Sequence, residues 1–266
     1  MPYHVTRKAW TDGRRALIGW TLGTAFFVFV YASSFSGFKD DRKQAADVAD
    51  RVPSGVGDFM GGIGDLSTGA GYLQTVVFQF FAPLLIIGCA LVWATSAIAG
   101  PEESGHADVL LSLPISRRRY LLEWVAALVG ALSLVALAVW LTVLANDAAL
   151  DMGVGVAGTT AVSLGLLGVG LFFGAFALAV SAFTGRRATT LAVTGTVALA
   201  TYLLYTLGRE YAAIEPLRWL SPFHYYLGGS PLQDGLHPGH LLALALMSGA
   251  AVGIAVLAFE RRDIRT

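Results

Sequence analysis

Six stretches of the chain contain no Asp, Glu, Lys or Arg: residues 16–38, 66–101, 124–146, 152–185, 188–208 and 235–259. Each is at least 21 residues long. A helix rises about 1.5 Å per residue, so roughly 20 residues cross the ~30 Å hydrocarbon core of a bilayer. The pattern therefore predicts an all-α polytopic membrane protein with six transmembrane helices, drawn at 17–35, 75–99, 120–144, 155–183, 188–208 and 239–259. The whole of 1–266 reads as a single transmembrane domain. A membrane β-barrel is excluded, because its strands are alternating segments of only about 10 residues. The first stretch exceeds the 7–15 residues of a signal-peptide core. It is expected to remain as an anchor behind Arg7, Lys8, Arg14 and Arg15.

Composition agrees. Hydrophobic residues make up 55% of the chain and charged residues 14%, against about 25% charged in a soluble domain. Eighteen basic residues balance eighteen acidic ones, so there is no basic excess to neutralise phosphates, and no nucleic-acid partner is expected. Cys89 is the single cysteine and lies inside an apolar stretch, which excludes an intrachain disulfide or a CxxC metal site.

The charges between the stretches give a sidedness. With the N-terminus in the cytoplasm, twelve basic residues fall inside, including Arg117–Arg119, Arg186, Arg187 and Arg261, and six fall outside. Lys and Arg favour the cytoplasmic side, so both termini are expected there. Three connections are long enough for a role of their own: 36–74 and 209–238 outside, and 100–119 inside. In the first, Ala45, Val48, Ala49 and Val52 repeat at helical spacing, Lys43, Asp47 and Arg51 pair four apart on the other face, and Pro53 ends the helix. A glycine-rich stretch follows. Gly165, Gly168, Gly170 and Gly174 in the fourth span, and Gly249 and Gly253 in the sixth, permit close helix approach, either within the chain or at a dimer seam.

Several chemistries lack their parts. There is no G-x-x-x-x-G-K-[ST], no H-E-x-x-H and no G-x-S-x-G, so neither catalytic residues nor a bound cofactor is expected on this chain. His237 and His240 flank Pro238, with Asp234 nearby, and are read as interfacial or capping residues instead of metal ligands. Ion-coupled carriers need ionisable side chains at bilayer depth, and the six stretches have none. Glu123 stands near the start of the third span, four residues after Arg119, and is read as an interfacial ion pair.

The inner loop begins with two acids, Glu102 and Glu103, continues through an apolar run, and is broken at Pro114. Ser116 is placed to cap the next helix, and Arg117–Arg119 to anchor it at the headgroups. Glu102-Glu103, Gly105, then Asp108-Val109-Leu110-Leu111-Ser112-Leu113-Pro114-Ile115-Ser116-Arg117 resembles the "E-E-x-G-…-L-L-L-S-x-P-V-S-R" signature of ABC type-2 exporter permeases. Leu220-Ser221-Pro222-Phe223-His224-Tyr225-Tyr226 is similar to that family's "L-S-P-F-x-Y" segment, and Phe259-Glu260-Arg261-Arg262-Asp263-Ile264 to its C-terminal "F-x-x-R-D-I/L". The chain departs from the family at His106 and Glu123.

The resemblance implies a permease subunit that docks a cytoplasmic P-loop ATPase, which carries the ATP and Mg. It implies a coupling helix between spans 2 and 3, with Glu102, Glu103, Gly105, Asp108, Leu111, Pro114, Ser116 and Arg117 as ATPase-coupling residues. It further implies an N-terminal interfacial helix over 1–16, a second permease copy or related permease, and a re-entrant segment over 209–238 lining an extracellular gate. The gate residues would be Trp219, Pro222, Phe223, Tyr225 and Tyr226, an aromatic cluster that Pro216, Pro222 and Pro231 keep from forming a continuous span. The expected setting is the plasma membrane of a prokaryote, among its lipids. The expected cargo is a hydrophobic or amphipathic drug, peptide antibiotic or lipid moved outward. The rival is a non-transporting scaffold or sensor subunit that docks a partner through 100–119.

The sidedness is testable by cysteine labelling in a Cys89→Ser background. An impermeant maleimide applied to intact cells is expected to label Lys43→Cys and spare Arg118→Cys. The reverse pattern overturns the layout.

Overall fold

The computed structural model describes residues 5–39, 51, 65–100, 116–211 and 213–261. The amphipathic helix expected at 45–52, apart from Arg51, most of the glycine-rich stretch and the loop 101–115 lie outside the described residues. The long helices are α1 (Val5–Ser33), α2 (Gly69–Ala97), α3 (Arg117–Leu150), α4 (Gly155–Thr184) and α5 (Arg187–Glu210). A 3-10 segment (Glu215–Leu220) and two short helices, α6 (Pro222–Leu227) and α7 (Pro231–Asp234), precede the last long helix, α8 (Pro238–Arg261). No strand occurs among the described residues. Six helices are long and apolar enough to cross a membrane, as the charge-free stretches predict.

Their bounds differ from the expected spans for physical reasons. The basic N-terminal segment is no separate interfacial helix from Val5 onward, because α1 runs unbroken through Arg7, Lys8, Arg14 and Arg15 to Ser33. No proline interrupts it, and a Cβ on Gly13 would meet the Trp93 ring at 3.0 Å. α3 runs six residues past its expected end at 144 and stops where Asp151 turns left-handed, at φ 52°. The Asp147 carboxylate closes that corner by accepting from the backbone N–H groups of Val154 (3.1 Å) and Gly155 (2.9 Å). In α2, Thr68 caps the start, a π turn spans Gln74–Phe78, and the regular helix resumes at Phe81. Pro83, which has no N–H and crowds the carbonyl four residues back, accounts for this break.

α4 is the centre of the bundle. It packs on α2, α3, α5, α6, α7 and α8, and buried residues occur all around it. Its glycines create the room. A Cβ on Gly174 would meet Leu128 of α3 at 2.7 Å, one on Gly170 would meet Ile86 of α2 at 3.0 Å, and one on Gly168 would meet Leu244 of α8 at 2.9 Å. The fourth-span glycines thus serve packing within the chain. Gly249 and Gly253 instead meet nothing within 4 Å and face outward on α8.

Gly158→Ala places a methyl against the backbone carbonyl of Leu232. It is expected to lower stability by about 1–3 kcal/mol through overpacking. Gly249→Ala is expected to be neutral or stabilising by up to about 1 kcal/mol, through helix propensity alone. Thermal unfolding in detergent compares the two.

Candidate functional site: a helix-base junction and a folded-back hairpin

The first two turns of α3 collect contacts from three other helices. Ser116 caps the helix as expected, its Oγ accepting from the Arg119 N–H at 3.3 Å. Arg117 donates to the Phe259 carbonyl of α8 at 3.4 Å. Tyr120 donates its hydroxyl to the Ala97 carbonyl at the end of α2 (2.8 Å) and stacks on the Phe259 ring, centroids 6.1 Å apart. The Arg119 guanidinium pairs with Glu123 at 3.0 Å. Glu123 also accepts from the Thr6 N–H at 3.4 Å, and its backbone carbonyl accepts the Thr6 hydroxyl at 3.1 Å. Close by, the Ala99 N–H donates to Ser181 Oγ of α4 at 3.2 Å.

The start of α1 and the ends of α2, α4 and α8 therefore gather at one end of the bundle, where residues 101–115 leave and return. Of the expected coupling residues, Ser116 and Arg117 are in this junction. Glu102, Glu103, Gly105, Asp108, Leu111 and Pro114 lie outside the described residues. Two segments that resemble the family separately in sequence meet here: Arg117 closes the loop signature and Phe259 opens the C-terminal one. The Arg119–Glu123 pair is present as read from the spacing. The tie to Thr6 was not legible, since nothing in the sequence sets two residues 117 positions apart side by side.

The second assembly lies between α5 and α8. Ser221-Pro222 starts α6 by two means: the Ser221 hydroxyl accepts from the Phe223 N–H at 3.2 Å, and proline fits the first turn, where no N–H is needed. The same hydroxyl donates to the Thr201 carbonyl of α5 at 2.7 Å. The chain then folds back along α4: Phe223 meets Phe173, Tyr226 meets Gly165, and Leu232 meets Gly158. Gly165 is ten residues into α4, about 15 Å from its start. The hairpin α6–α7 is thus set down inside the bundle.

The expected gate residues divide between interior and surface. Tyr226 is 1% exposed, and its hydroxyl donates to the Phe78 carbonyl at 2.9 Å, in the irregular part of α2. Phe223 is 3% exposed and sits between Phe173 and Tyr202, with centroids at 5.7 and 5.2 Å. Pro222 is buried. Tyr225 is half-buried and donates to the Trp219 carbonyl at 2.9 Å, while Trp219 itself is 55% exposed. Among the described residues, no group of His, Cys, Asp and Glu is arranged to hold a metal ion.

The sequence pattern described as ABC-2 family transporter protein matches residues 3–264, nearly the whole chain. The chain belongs to that family. No curated protein matches it. An ABC-2 permease is the transmembrane subunit of an ABC transporter, and ATP is hydrolysed by a separate partner subunit. For this permease the junction at the base of α3 is therefore the described structure nearest the loop of interest. Six apolar helices and the family together make it a multi-pass membrane protein.

Tyr226→Phe removes only the hydroxyl that reaches Phe78. Interhelical hydrogen bonds in membrane proteins average about 0.6 and reach about 1.7 kcal/mol, so a loss in that range is expected. Tyr225→Phe, whose bond to Trp219 is local, is expected to cost less. Melting temperatures of the two variants in one detergent provide the measurement.

Proposed function

We propose that this permease is the membrane half of a prokaryotic ABC exporter in the plasma membrane. Two copies, or one copy and a related permease, assemble with P-loop ATPase chains that bind ATP and Mg. The junction end of the bundle faces the cytoplasm, so both chain ends and the loop 101–115 lie there. The cargo is hydrophobic or amphipathic, such as a drug-like compound, a peptide antibiotic or a lipid, and it moves outward.

The observation that carries this reading is the junction. The loop that resembles a coupling helix feeds directly into two helical turns that hydrogen-bond α1, α2 and α8. A push on the loop would reach three membrane helices through contacts of 2.8–3.4 Å. The charge-free spans support a source of energy outside the chain, since an ion gradient has no intramembrane charge to act on. The buried positions of Phe223 and Tyr226 support a bracing part for them in the outer gate. Trp219 and Tyr225 are the side chains with surface to offer a passing molecule.

Glu103 tests the coupling role. Local stability gives little reason for a large effect, because an exposed ion pair is worth about 0–1 kcal/mol. Truncating a buried interfacial charge costs roughly 2–5 kcal/mol, about 30-fold or more in affinity. Glu103→Lys is expected to leave the permease folded in the membrane while weakening copurification of the ATPase and its substrate-stimulated turnover. Arg186→Glu, on the turn between α4 and α5, is expected to do much less. Equal ATPase recovery and turnover from both variants would overturn the coupling assignment.

A further inference from the structure

The hairpin carries three imidazoles that neither the aromatic core nor the junction uses. His224 of α6 is 8% exposed, and its Nε2 is buried with no hydrogen-bond partner among the described residues. Its ring centroid lies 4.5 Å from Trp219, 5.1 Å from Tyr225 and 5.8 Å from His240, at the start of α8. His240 lies 5.3 Å from His237 and 5.8 Å from Tyr225. His237 Nε2 is 3.2 Å from the Gly229 carbonyl oxygen. The Gly228-Gly229 pair makes these approaches possible: a Cβ on Gly229 would stand 2.7 Å from His237 Nε2, and one on Gly228 3.4 Å from His240 Cε1. Histidine rings thus close the hairpin against the first turn of α8.

A proton has an unfavourable setting here. The 3-10 segment brings Arg218, paired with Glu215 at 3.2 Å. α5 brings Tyr202, Tyr205 and Arg209, the last 6.0 Å over the Tyr205 ring. α6 adds Tyr225 and Tyr226, α7 carries Asp234, and α4 contributes no ionisable side chain. Glu215 and Asp234 are the acids of the segment, and Arg218 holds the first. Burial, then the positive charge of Arg218 and the neighbouring His240, keep the His224 imidazole below its ordinary range.

We propose that His224 and His240 form a proton-operated latch: as neutral rings they hold the hairpin against α8, and as cations they repel each other and Arg218 and release it. The sign follows from linkage. An imidazole that binds its proton weakly in the closed form and near the ordinary value of about 6.5 in the open form favours opening as pH falls. Closure is fully favoured above that value and is lost below it. The latch is a property of the fold; its consequence for transport, an exit that loosens in an acidic medium, rests on the gate reading above.

Hydrogen–deuterium exchange of the full chain in lipid nanodiscs tests the latch without an ATPase or a substrate. With rates corrected for intrinsic pH dependence, protection over 222–234 is expected to fall between about pH 7.5 and 5.5, by about tenfold for each pK unit by which opening strengthens proton binding. Protection over 161–180 of α4 is expected to stay constant. His224→Phe keeps an aromatic ring on Trp219 and removes one of the two titrating partners, so its acid loss of hairpin protection is expected to be well below that of the wild type. Equal wild-type protection at both pH values, or a full acid loss in His224→Phe, overturns the latch. If that variant does not fold, the ring signals decide. The chain has five histidines, so 13Cε1-histidine labelling yields five resonances. His240→Gln is expected to move the His224 titration up toward the ordinary value, and an unmoved titration overturns the proposal. A hairpin that opens in acid while transport is unchanged removes the gate reading and leaves the latch standing.

Discussion

Close approach to α4 is the constraint on which the rest of the bundle depends. Between membrane helices no water is expelled, so association relies on packing contact and on hydrogen bonds. α4 meets that condition with small residues on every side, and α2, α3 and α8 each seat an aliphatic side chain where one of its glycines lies. The folded-back hairpin depends on the same helix. Gly158 admits the backbone at Leu232 and Gly165 admits the Tyr226 ring, so a bulky residue at either position would push α6–α7 out of the bundle. The outward faces of α1 and α8, with Leu22, Phe26, Leu242 and Leu246 exposed, meet no such restriction.

Helix number and type were legible because charge avoidance over 20 or more residues leaves few alternatives. The Ser116 cap and the Arg119–Glu123 pair were legible because both are local geometry, three and four residues apart. The helix ends were less so. α3 extends past its apolar stretch because Asp147 turns back to its own corner, an outcome composition does not encode. The break in α2 had a visible signal in Pro83. The depth of Phe223 and Tyr226 did not: a cluster of aromatics between prolines reads as well for a surface belt as for an interior brace. Burial is decided by the glycines of a helix some 60 residues away, and no local pattern reports that.

The junction and the hairpin are joined mechanically by α4 and α2. Ser181 of α4 receives Ala99 at one end, while Gly165 and Gly158 receive the hairpin toward the other. Phe78, whose carbonyl takes the Tyr226 hydroxyl, belongs to the same helix that ends at Ala97, where Tyr120 is bonded. The regular part of α2 between them is unbroken from Phe81. Its irregularity is therefore confined to the hairpin end, where the helix can change direction without disturbing its lower half.

The pairing of α1 with α3 has a further consequence. Thr6 is fastened to Glu123 near one end, and the Ser33 hydroxyl donates to Asn146 at 2.9 Å near the other. The two fastenings are 27 residues apart along α1 and 23 along α3, about 40 Å and 35 Å of helix. Two parallel rods pinned at top and bottom cannot slide past each other, because any shear would break a pin. They can tilt or translate together as one plate. The N-terminal helix, which touches the bundle with a narrow face and otherwise stands exposed, is thereby made an outrigger of α3 and repeats its displacement over the full thickness of the protein.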